Sequence, residues 1–151
     1  MTTPIERCLD AWQGFLRSKD LDALDDLLDD DVVFWSPIVF KPQRGKDLTK
    51  LYLSAAAGTF GTGDKGAGEG SADAGGGGGG FRYVRKIHQG NDALLEFETT
   101  MDGKYVNGVD LITCNDEGRI VEFKVMIRPL QAVNIVHEQM KAMIESMTPS
   151  T

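Results

Sequence analysis

The hydrophobic period of this chain changes twice, and that change limits its fold more than any other feature. Through residues 4–58 apolar side chains recur every three or four positions, broken only by the short apolar run Val32-Val33-Phe34-Trp35. Such spacing marks helices that bury one stripe. From Phe81 to Arg128 the apolar residues alternate, which marks strands with one buried face. After Pro129 the helical spacing returns. Helices first and an antiparallel meander after predict an α+β fold, in which the early helices cover one face of a curved antiparallel sheet. A curved sheet closed by helices encloses a conical cavity.

The punctuation agrees with this reading. Thr3-Pro4-Ile5-Glu6 is a capping box with proline at the first helical position, followed by Ile5, Leu9, Trp12 and Leu16 at helical spacing. Asp20 caps a second, short helix carrying Leu21, Leu24, Leu27 and Leu28, and Asp47 opens a third with Leu48, Leu51, Tyr52, Ala55 and Ala56 on one stripe and Gly58 as its C-cap. In the second half, Gly90-Asn91-Asp92, Asp102-Gly103 and Asn115-Asp116-Glu117-Gly118 are turns between strands. The last helix carries Leu130, Val133, Val136, Met140, Met143 and Met147.

Between the two halves, residues 61–80 collapse into glycine, alanine and small polar residues, ending in six glycines. Such a segment buries too little apolar surface to offset the entropy of ordering it, so a flexible loop within a single domain of residues 1–151 is expected. Gly61-Thr62-Gly63-Asp64-Lys65-Gly66 matches a dinucleotide-binding spacing, but that site needs a strand before it and a helix after it, and here a helix precedes and more glycine follows.

Composition excludes several function classes. A net charge of −7 argues against nucleic acid and against anionic membrane surfaces. No apolar run approaches the roughly 20 residues of a membrane span, and no early apolar segment reads as a signal peptide. Cys8 and Cys114 are two isolated thiols, which fits a reducing, cytoplasmic setting better than a disulfide framework. The two histidines, His88 and His137, and two separated cysteines lack metal-ligand spacing, so neither a metal nor a cofactor is expected.

One acid stands in the wrong company. Asp110 interrupts the mostly apolar run from Tyr105 to Thr113. A carboxylate there must be hydrogen-bonded, held protonated or turned toward a polar cavity, because an unpaired buried charge is very costly. Two readings stand side by side: a pocket acid of raised pKa, or a structural carboxylate bonded to backbone or to Asn107. If Asp110 shares a face with Leu95, Phe97 and Phe123, it projects into the cavity.

The order of elements resembles the NTF2-like, or cystatin-like cone, superfamily, and more closely its bacterial SnoaL-like proteins. The residues that carry the resemblance are Leu24 to Pro37, Gly45-Lys46-Asp47 and Asp110 to Ile120 with its Asn-Asp-Glu-Gly-Arg-Ile ending. The resemblance implies the fold; it leaves the chemistry open, because the superfamily includes isomerases, cyclases, dehydratases, epoxide hydrolases and binders without catalysis. Laid on the ketosteroid isomerases, the family's tyrosine oxyanion donor falls on Trp12, its general-base aspartate on Ser36 and its protonated aspartate on Asp110. The donor half of that site is thus conceivable with Trp12 and Asp110, and the base half is missing. Limonene epoxide hydrolases place arginine two residues before the strand acid, where this chain has Gly108.

Other candidates carry double readings. Tyr52 lines the cavity or the core. Trp35 walls the cavity mouth, fills the core or meets a second copy. Asn107 binds a ligand or, as the residues favour, shapes a bulge beside Gly108. The expected protein is a homodimer, associating through the outer sheet face with its Glu122, Lys124, Met126 and Arg128, whose cone binds a small apolar organic molecule bearing a carbonyl or hydroxyl. As an enzyme it would be a cofactor-free isomerase, cyclase or dehydratase using Asp110 and Trp12; the alternative is a non-catalytic binding or structural module.

Overall fold

A computed structural model of the chain describes residues 2–60 and 80–147. The glycine-rich segment expected as a flexible loop therefore lies outside the described residues, apart from Gly80. Element order is α1 (Pro4–Ser18), α2 (Leu21–Leu27), β1 (Leu28–Trp35), β2 (Gln43–Arg44), α3 (Lys46–Phe60), β3 (Arg82–Gln89), β4 (Asp92–Met101), β5 (Lys104–Cys114), β6 (Ile120–Arg128) and α4 (Leu130–Met147). The strands form one curved sheet in the order β2-β1-β6-β5-β4-β3.

The local signals work as the sequence predicts. Thr3 Oγ1 accepts from the Glu6 amide and Glu6 Oε1 accepts from the Thr3 amide, closing the capping box of α1. Asp20 Oδ1 accepts from the Asp22 amide at the start of α2. Asp102 and Gly103 both take positive φ, 56° and 76°, as a two-residue hairpin turn requires. Asn115 Oδ1 accepts from the amides of Glu117 and Arg119, which tightens the β5–β6 turn.

Three expectations change. The sheet is mixed: β3 to β6 form the antiparallel meander, but β1 runs parallel to β6, with Phe34 opposite Phe123. Tight turns force antiparallel neighbours only within the meander; β1 is separated from β6 by α3 and four strands and is free of that constraint. Second, α3 continues past Gly58 to Phe60, so this glycine is not its C-cap, and Leu28 begins β1 instead of ending α2. Third, the buried stripes shift: on α3 it is Thr49, Leu53, Ala55 and Ala57 that are buried, and on α4 Ala132 and Val136, while Leu130 is 74% exposed.

The core has two parts. Helix α1 contributes Ile5, Cys8, Leu9, Trp12 and Phe15, which pack with Leu24, Phe34, Leu53, Leu95, Ile112 and Phe123 between the helices and the inner sheet face. Burial of these side chains is the main stabilising term, at about 1.5–3 kcal/mol each. A second cluster of Phe97, Met101, Val106, Ala132 and Val136 lies where α4 crosses the ends of β4, β5 and β6. The two cysteines, separated in sequence, meet in the first cluster, and burial, with the neighbouring Cys114 thiol, pushes Cys8 up to about 12. A thiol so far from ionisation is a packing group and a poor nucleophile. Among the described residues no helix is long and apolar enough to cross a membrane.

Candidate functional site

Strand register decides which side chains share the inner face. Asp110 pairs with Leu95 on one side and Val125 on the other, and Gly108 and Ile112 flank it along β5. Leu95, Phe97, Phe123 and Asp110 therefore do point to one side, as the site requires. Asp110 is 6% exposed amid these apolar neighbours. Burial pushes its carboxyl up from the ordinary range to about 7, and a hydrogen bond from Tyr83 works in the opposite direction.

Tyr83 is the residue that the sequence reading missed. Its hydroxyl donates to Asp110 Oδ2 at 2.7 Å, and the Trp12 indole N–H donates to the same hydroxyl oxygen at 2.9 Å. Burial, then the adjacent Asp110 charge, raise the Tyr83 phenol well above its usual range. The order is thus Trp12, Tyr83, Asp110: helix, edge strand, central strand. The structure brings Trp12 and Asp110 together, but through a third side chain, and the N–H expected for a ligand is engaged by Tyr83. One signal was available: Tyr83 falls in a period-two run, and a half-buried tyrosine needs a partner for its hydroxyl.

The aromatic candidates fill this face. Trp12 meets Phe123 edge-on at 4.9 Å and Phe15 at 5.6 Å. Phe97 stacks on Phe81 at 5.0 Å, and Tyr83 stands edge-on to both. Tyr52 stacks on Phe34 at 5.4 Å at the β1 side.

Two candidates are elsewhere. Asn107 lies on the outer face, donating to Glu96 Oε2 and the Phe97 carbonyl and accepting from Arg128 Nε. The β4–β5 register runs unbroken past Asn107 and Gly108, so the bulge expected there does not form. Three residues from Asp110 in an unbroken strand is the opposite face. Trp35 also faces outward: its N–H donates to Glu122 Oε2 at 2.7 Å, and Lys124 Nζ lies 5.0 Å from its ring centre. It is no wall of the cone. Ser36 is consumed by a turn, its Oγ accepting from the amides of Ile38 and Val39. Glu96 and Glu98 pair across the outer face with Arg85 and Arg82.

No family model matches the chain, and no curated protein matches it in sequence. Solved structures do. A steroid delta-isomerase from Pseudomonas aeruginosa superposes with a TM-score of 0.80 at 28% identity, over 97% of this chain and 96% of that one. An uncharacterized protein with a cystatin-like fold from Silicibacter pomeroyi gives a TM-score of 0.72 at 28% identity, over 89% of this chain and 83% of that one. An NTF2-like protein of unknown function from Mesorhizobium loti gives 0.63 at 19% identity, over 83% and 92%, which speaks to the fold alone. With helices over one face of a curved sheet and neighbours of this kind, the chain has the NTF2-like, cystatin-like cone fold.

Proposed function

We propose that this protein binds a small, mostly apolar organic molecule inside its cone, through a carbonyl or hydroxyl oxygen that meets Asp110. The observation that carries this reading is a buried carboxyl near neutrality on a mostly apolar inner face. A carboxylic acid held protonated can donate to a ligand oxygen, and such groups concentrate at functional sites. Within the superfamily we place the chain in the SnoaL-like branch, on Leu24 to Pro37, Gly45-Lys46-Asp47 and the Asp110 to Ile120 run. Its two buried thiols fit a cytoplasmic protein.

A catalytic reading is favoured by the likeness to the steroid delta-isomerase. In it, Asp110 supplies a hydrogen bond or proton to a developing enolate. The serine at position 36, its oxygen engaged in a turn, favours binding without turnover, because a proton shuttle needs a base.

The test is a thermal-shift screen of wild type and Asp110→Asn against hydrophobic ketones, lactones, phenols and polyketide-like compounds. A ligand at 100 times its dissociation constant adds about 2.7 kcal/mol. The expected result is a shift in wild type that weakens or vanishes in Asp110→Asn. Equal shifts in both would take the acid out of the binding site, and no shift with any compound would count against the binding reading.

The outer sheet face supports a homodimer: Met126 is 48% exposed there, among Lys124, Glu122 and the outward Trp35. Light scattering at tens of micromolar is expected to give twice the chain mass; a monomer mass would overturn this.

A further inference from the structure

Trp12 and Asp110 approach the cone interior from opposite layers, one from α1 and one from β5, and each bonds the same oxygen, the Tyr83 hydroxyl. An indole N–H can only donate, whereas a carboxyl can donate or accept according to its protonation. Together they define a site for an oxygen that accepts from Trp12 and shares a proton with Asp110. A phenol is a group of that kind, and a phenol of this chain is what stands there.

The position of Tyr83 sets it apart from ordinary core. Among the described residues it is the side chain packed against both apolar clusters, so it lies at their seam. It is carried by β3, the edge strand of the sheet. The register with β4 breaks directly after it: Tyr83 faces Phe97, Val84 has no opposite number, and Arg85 faces Glu96. An edge strand bonded on one side and interrupted by a bulge can give up one side chain at less cost than a central strand. The Tyr83 ring also has ready-made walls, Phe81 at 5.1 Å and Phe97 at 6.5 Å between ring centres, both edge-on.

We infer that Tyr83 is a resident occupant of the ligand site, and that the site takes a molecule carrying a phenolic or enolic hydroxyl on a flat ring. The ring sits beside the stacked Phe81 and Phe97 pair, edge-on to both, its oxygen between Trp12 and Asp110, and Tyr83 competes with the incoming molecule for that place. This deepens, and rests on, the reading of the Asp110 face as a ligand site. The consequence has an unusual sign: shortening Tyr83 strengthens binding.

The test uses 4-methylphenol, the tyrosine side chain cut at its first carbon, with toluene as the same shape lacking the hydroxyl. Affinities are measured by titration calorimetry for wild type, Tyr83→Ala and Tyr83→Ala with Asp110→Leu. Expected are 4-methylphenol binding to Tyr83→Ala at least about tenfold tighter than to wild type, toluene binding it at least about tenfold more weakly, and loss of that preference in the double variant. Should Tyr83→Ala not fold, Tyr83→Val, which suits a strand and still vacates the ring, takes its place. Equal affinity of 4-methylphenol for wild type and variant, or no preference over toluene, overturns the inference. If a compound from the wild-type screen instead loses affinity when Tyr83 is shortened, Tyr83 holds the ligand and does not compete with it; the inference falls and the binding function stands. If wild type answers to no compound while Tyr83→Ala binds 4-methylphenol, the occupied site stands and the binding function of wild type falls.

Discussion

Asp110→Asn is expected to become more stable relative to wild type as pH rises. In the folded protein burial holds the Asp110 carboxyl at about 7, against 3.8 for an unperturbed one. A group whose folded pKa is raised binds more protons folded than unfolded between these two values. Its full stabilisation is therefore present below about pH 4 and is lost as pH climbs through about 7, beyond which the buried charge is carried at its full cost. A shift of this size corresponds to on the order of 4 kcal/mol, of which about 3 falls between pH 5 and 8. Asparagine keeps the shape and cannot ionise, so it removes this one dependence and leaves the other carboxylates of the chain as they were. Chemical denaturation of both proteins at pH 5, 6, 7 and 8 measures the difference. Parallel profiles would mean that Asp110 titrates like a surface carboxyl and would remove the basis for a pocket acid.

The second large effect belongs to Gly108. An added Cβ there would stand 2.5 Å from Phe97 Cζ and 2.7 Å from the Met126 carbonyl oxygen. The ring could turn, but the carbonyl is backbone of the neighbouring strand and cannot yield without distorting the β5–β6 pairing. Gly108→Ala is expected to destabilise by about 3 kcal/mol or more, at the upper end of overpacking costs. A loss below about 1 kcal/mol in urea denaturation would show that the sheet absorbs the methyl group. The same substitution displaces Phe97, one wall of the Tyr83 site, so ligand binding and stability are expected to fall together.

How much was legible differs from residue to residue. The α1 cap, the Asp102-Gly103 turn and the alternation of β4 were readable because each depends on groups a few positions apart. The face shared by Asp110, Leu95, Phe97 and Phe123 was readable too, since alternation carries across turns of known length. Asn107 could have been placed outward by the same count, and an expected bulge at Gly108 hid it. The register breaks fall elsewhere, at Val84, between Thr113 and Cys114, and between Leu28 and Val33. Trp35 could not be assigned, because its face depends on how β1 pairs, and β1 pairs with a strand 87 residues later, where the Trp35 N–H meets Glu122.

The sequence by itself determined the kinds of elements, most of their ends, the cone that they build and the presence of one acid needing an explanation. These follow from short-range hydrogen bonds and from a period that each segment carries alone. Only the tertiary structure decided what answers that acid. Tyr83 stands 71 residues from Trp12 and 27 from Asp110. Whether three such side chains converge depends on strand order, on register and on one bulge, and a slip of a single residue would turn each to the opposite face. The same holds for the two thiols, which share the core only because α1 lies over the end of β5.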